Sequence, residues 1–139
     1  MNNNNPSLDL IDFVETQILP RYADFDRAHG MEHVTRVVRR SLALAKTTGA
    51  DINMAYVVAA YHDLGLSGPR AVHHLTSGKI LMQDARLKRW FSPDQLYREV
   101  LHLIDTPCGL TYCRIGLRKN LIQTLSLRQT LLKLRGLRL

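Results

Sequence analysis

Six histidines stand in the first 102 residues: His29, His33, His62, His73, His74 and His102. One of them, His62, is followed directly by Asp63. A neutral imidazole offers one nitrogen lone pair and a carboxylate offers charged oxygen. Side by side the two suit a divalent cation such as Mn²⁺, Fe²⁺, Co²⁺, Ni²⁺ or Zn²⁺. His33 follows His29 by four residues, so on a helix both share one face. Adjacent helical residues point about 100° apart. His62 and Asp63 therefore meet one ion most easily at a helix end, with one of them nearly axial. Asp63 closes a run of Ala, Val and Tyr, and a charged carboxylate buried in such a helix is costly unless it is paired or metal-bound. The residues alone also allow Asp63 at an exposed helix end with His62 merely packed.

The elements that would position these groups follow from hydrophobic spacing. Leu10, Ile11, Val14, Ile18 and Leu19 predict a first helix over 7–19, ended by Pro20. A polar, aromatic linker follows at 22–26. Val34, Val37, Val38, Ser41, Leu42 and Ala45 form the apolar stripe of a second helix over 29–48, with Gly49 as its stop. Asp51 can cap a third helix over 52–64 that is apolar on nearly every face and hence central and buried. A loop with Gly65, Gly68 and Pro69 leads to a fourth helix over 74–84. Pro93 opens a fifth that Pro107 ends. Nothing alternates with the period of a strand. The expectation is an all-α fold in which His33, His62 and Asp63, each at a helix end beside a glycine-containing turn, converge on one point.

Composition sets the outer bounds. The 139 residues fit one compact domain, and no apolar run approaches the roughly 20 residues that span a bilayer, so no membrane association is expected. Residues 1–6 read as a short disordered lead-in. Cys108 and Cys113 are too few for a disulfide framework, which makes a reducing cytoplasm the default location. The net charge of +7 points at first to nucleic acid. The acids and bases of residues 1–105 balance, however, and the whole excess is Arg114, Arg118, Lys119, Arg128, Lys133, Arg135 and Arg138. That tail lacks the aromatic interleaving and helix-turn-helix spacing of a nucleic-acid module. The chain thus divides into the lead-in, a helical domain over 7–105 and a basic, Leu-rich tail over 106–139.

Three segments carry a resemblance. His29-Gly-Met-Glu-His33-Val-Thr-Arg-Val37, then Ala59-Ala-Tyr-His-Asp-Leu-Gly65, then His73-His-Leu-Thr-Ser-Gly-Lys-Ile-Leu81 resemble small bacterial HD-domain metal-dependent phosphohydrolases. In that family a first His is followed after two residues by Arg-Val, a His-Asp is followed by Ile/Leu-Gly, and the next helix often opens with His-His and a Ser. The match covers roughly residues 20–104. It implies a single helical HD-type domain with His33, His62 and Asp63 as ligands of a divalent ion (Mn, Fe, Co, Ni, Mg or Zn), and Asp63 also orienting the attacking water. It implies Arg70, His74 and Lys79 as phosphate contacts, because cationic donors match anionic oxygens, and His29 as a substrate contact or a support behind the ligands. Solvated surface charge is the plain alternative for Arg70 and Lys79. His73 reads as a surface residue and His102 as a helix-face residue. The implied substrate is a phosphomonoester or nucleotide.

The family's last metal ligand, an Asp some tens of residues beyond the His-Asp pair, has only Asp105 as a counterpart here. Shifting the tail forward by one base permits His-Arg-Ala-x-Ser at 106–110 and Tyr-Gly-Lys-Ile-Leu at 117–121, both similar to what the family carries. The expectation is a frameshift near residue 105. The competing functional reading is a degenerate HD domain that binds metal or nucleotide without efficient turnover.

Overall fold

The computed structural model describes residues 4–104, with side chains described as far as Arg98. Asp105 and the tail lie outside the described residues, as does the side chain of His102. Five α-helices run in order: α1 (Leu8–Phe13), α2 (Met31–Thr48), α3 (Ile52–Tyr61), α4 (His73–Gln83) and α5 (Pro93–Ile104). Short 3₁₀ and π turns join them, and there is no strand among the described residues. The fold is all-α. Among the described residues no helix is long and apolar enough to cross a membrane. Within the lead-in, Pro6 is buried, and Lys46 Nζ lies 3.4 Å from Asn5 Oδ1.

Helix α3 forms the centre. Every residue from Met54 to Tyr61 is buried, because an apolar surface on all sides is stable only when neighbours cover all of it. Asp51 begins the helix by accepting a hydrogen bond from the Met54 amide at 3.0 Å, which satisfies one of the unpaired amides of the first turn. Helix α2 packs along α3 through Val34, Val37, Ser41 and Ala45. It stops at Gly49, whose φ of 72° lies in the left-handed region that glycine adopts without strain. Helices α4 and α5 pack on each other beyond the far end of α3. Ser92 and Gln95 start α5 with reciprocal hydrogen bonds, Gln95 amide to Ser92 Oγ at 3.2 Å and Ser92 amide to Gln95 Oε1 at 2.8 Å, the capping-box arrangement.

Two boundaries differ from the sequence reading. Pro20 does not end the first helical segment. The chain passes from α1 through a π turn (Val14–Ile18) into a 3₁₀ turn (Leu19–Asp24) that has Pro20 in its first turn, where a missing amide hydrogen costs nothing. Consequently 22–26 is not a polar linker, since Tyr22 is fully buried in the core. Helix α3 ends at Tyr61, three residues earlier than expected.

Candidate metal centre

The early end of α3 shapes the site. His62 still has helical backbone angles, but Asp63 turns away at φ −111°, ψ 5°. This bend lets two adjacent side chains meet one point. His62 Nε2 lies 2.9 Å from Asp63 Oδ2. His33, two residues inside the start of α2, brings its Nε2 to 3.2 Å from the same oxygen and 3.3 Å from His62 Nε2. These three residues form the one cluster of possible metal ligands among the described residues, with their ligand atoms within 4.8 Å of one another.

Hydrogen bonding identifies what the three atoms offer. His62 Nδ1 lies 2.6 Å from the Ala59 carbonyl oxygen. A carbonyl only accepts, so Nδ1 carries the proton and the neutral ring presents a lone pair at Nε2. Asp63 as a carboxylate also only accepts. An imidazole nitrogen and a carboxylate oxygen thus face each other with His33 at the third corner, an arrangement that calls for positive charge at its centre. Ligands bonded at about 2.1 Å to one tetrahedral ion stand about 3.4 Å apart. The observed separations of 2.9–3.3 Å lie close to that value.

The electrostatics agree. Burial, ahead of the neighbouring His62, holds His33 below the ordinary histidine range, which favours the neutral form that can act as a ligand. Burial alone would raise the Asp63 carboxyl. The neighbouring rings of His62, His33 and His29 outweigh it, and the carboxyl is held below the ordinary range. Asp63 is only 3% exposed, whereas the His33 side chain is 29% exposed. The cluster is therefore closed on the α3 side and open toward solvent past His33.

Two supports were not legible as site residues. The Tyr22 hydroxyl donates to the Ala60 carbonyl at 2.7 Å and accepts from the Asp63 amide at 3.3 Å, holding the chain on either side of His62. His73, read from sequence as a surface residue, has its Nε2 3.6 Å from Asp63 Oδ1. Only the tertiary fold brings either one to Asp63. The doublet His73-His74 was the one available signal, and it did not say which ring turns inward.

The expected phosphate contacts are placed unevenly. Arg70, on a 3₁₀ turn (Arg70–Val72) leading into α4, pairs its guanidinium with Asp26. Asp26 also accepts from His29 Nδ1 at 2.9 Å, and this bond, against burial and with help from Arg70, brings its carboxyl down to about 2. The His29 ring stands edge-on to that of His33, with centroids 5.8 Å apart. Arg70 and His29 therefore belong to a polar rim beside the open side of the cluster. His74 is half-buried next to His73. Lys79 is exposed, almost two turns along α4 from His73. No protein-family model matches the chain, and no curated protein and no solved structure is found similar to it.

Proposed function

We propose that the protein is an HD-type, divalent-metal-dependent phosphohydrolase acting on a phosphomonoester or nucleotide. The observation that supports this reading most is the convergence of His33 Nε2, His62 Nε2 and Asp63 Oδ2 at one partly open point. When bound there, a divalent ion would lower the pKa of a water and polarise a phosphoryl oxygen. The protein's own groups supply the rest. The Ala59 carbonyl fixes the His62 tautomer, and Tyr22 holds the backbone of Asp63 so that its carboxylate is fixed before substrate arrives. In this reading Asp63 would also orient the attacking water. Arg70 offers a planar pair of donors to anionic oxygens once it exchanges Asp26 for substrate, with His29 on the same rim, His74 beside His73 and Lys79 further along α4.

The test is elemental analysis of the purified protein and of His62→Ala and Asp63→Ala, together with hydrolysis of p-nitrophenyl phosphate and nucleoside monophosphates in Mn²⁺, Co²⁺ or Ni²⁺. The expected result is metal-dependent hydrolysis by the wild type and loss of both metal and hydrolysis in the variants. Metal content unchanged by both substitutions would overturn the centre. Metal bound without hydrolysis of any phosphate ester would leave a binding protein instead of an enzyme.

A further inference from the structure

The two carboxylate oxygens of Asp26 have separate tasks. Oδ1 accepts from the amides of Ala28 and His29 at 3.0 and 3.1 Å and from His29 Nδ1 at 2.9 Å. These bonds close the turn that leads into α2, in the way an Asp side chain commonly bonds the backbone just beyond it. Oδ2 pairs instead with the guanidinium of Arg70, 44 residues further along the chain. The turn is therefore built by one oxygen, and the other is free to be exchanged without unmaking it.

Arg70 is arranged in the same way. Its carbonyl accepts from His73 Nδ1 at 2.7 Å, and the Val72 amide donates to the Pro69 carbonyl at 3.3 Å, so the backbone stays in place while the side chain moves. The side chains of Arg70 and Asp26 are 64% and 46% exposed, and an ion pair in water is weak enough to be displaced. A phosphoryl group offers the guanidinium the same two-pronged contact as a carboxylate and carries more negative charge. The pair also adjoins the cluster, since the other partner of Asp26, His29, stands with its ring centroid 5.8 Å from that of His33.

We propose that the Asp26–Arg70 pair is an autoinhibitory latch: in the empty protein Asp26 occupies the guanidinium that an anionic ligand takes, and the ligand binds by displacing it. This inference rests on reading the rim as the anion-binding side of a phosphohydrolase centre. Affinity falls in proportion to the fraction of molecules in which Arg70 is free, and an exposed pair of this kind lowers it by roughly threefold.

The experiment is calorimetric titration of the full chain in Mn²⁺ with phenylphosphonate, a phosphomonoester analogue that is not hydrolysed. It compares wild type, Asp26→Asn, Arg70→Gln and the double variant. Asn keeps an oxygen for the turn and sets a neutral amide against Arg70. Asp26→Ser, which also keeps a turn-forming oxygen, repeats the test, and circular dichroism checks that each variant is folded. The expected result is binding tightened roughly threefold by either substitution of Asp26, weakened by Arg70→Gln, and not improved when Asp26→Asn is added to Arg70→Gln. Affinity unchanged or lowered by both Asp26 substitutions would overturn the latch while leaving the anion site. An equal gain with and without Arg70 would also overturn it, because Asp26 would then act only through its charge. Absence of phenylphosphonate binding in all the proteins would overturn the phosphohydrolase reading together with the latch.

Discussion

At the scale of single residues, the centre depends on a hydroxyl that does not touch it. Tyr22 bridges the Ala60 carbonyl and the Asp63 amide from within the core. Tyr22→Phe keeps the ring and its packing but leaves two buried backbone groups short of a partner, at a cost of about 2 kcal/mol. The expected outcome is a lower unfolding midpoint in urea together with at least tenfold weaker Mn²⁺ binding, since groups that orient ligands commonly carry that much affinity. Unchanged Mn²⁺ affinity would show that Tyr22 serves the core alone. The convergence of His33, His62 and Asp63 was legible in the sequence from residue type, position at helix ends and the family resemblance together, since the residues alone also allowed Asp63 at an exposed helix end. Tyr22 and His73 were not, because an aromatic residue in a polar stretch and one member of a His-His doublet acquire their roles only from contacts far along the chain.

At the scale of elements, the seat of α4 against the end of α3 is set by a residue without a side chain. A Cβ on Gly65 would lie 2.0 Å from the His73 carbonyl oxygen and 2.7 Å from the Ser77 amide nitrogen, and backbone cannot yield as a flexible side chain can. The Gly65 amide also donates to the buried Ser77 Oγ at 2.8 Å. Gly65→Ala is expected to destabilise by about 3 kcal/mol, read as a fall in the denaturation midpoint. Ser77→Ala removes only the acceptor and is expected to cost about 1.5 kcal/mol. If Gly65→Ala proved the milder of the two, the close approach would not limit the packing. The sequence reading found the helices of the bundle through their apolar periodicity and caps, most exactly at Asp51 and Gly49. It ended the first segment too soon because Pro20 reads as a stop when seen alone, although the chain there re-enters helical geometry with proline in the first turn of the next piece.

At the scale of the whole molecule, a proton and a bound cation would compete for the same groups. The folded-state values of His33 and Asp63 both lie below the ordinary ones, so the folded chain binds fewer protons than the unfolded chain. Stability therefore falls as pH drops. The part due to His33 is lost from about 6.5, its unfolded value, downward, and the part due to Asp63 is lost below about 3.8. Without metal, the thermal midpoint is expected to decline between pH 7 and pH 5, and His33→Gln is expected to flatten that decline. A slope unaltered by the substitution would assign it to other groups. With Mn²⁺ at about a hundred times its dissociation constant, the folded state gains about 2.7 kcal/mol at neutral pH, a rise in midpoint on the order of 10 °C. That rise is expected to vanish toward pH 5 as protons displace the ion.

The position of the Tyr22 hydroxyl also ties the N-terminal segment to the end of α3 in time. The Asp63 amide hydrogen points at Tyr22, and Tyr22 is carried by the 3₁₀ turn Leu19–Asp24 rather than by the helix that carries Asp63. For that hydrogen to exchange with deuterium, the N-terminal segment must first undock from α3. The exchange rate of one backbone amide is therefore a clock for the opening of the N-terminal segment. A ligand seated on the Asp63 carboxylate slows the clock without touching the segment itself.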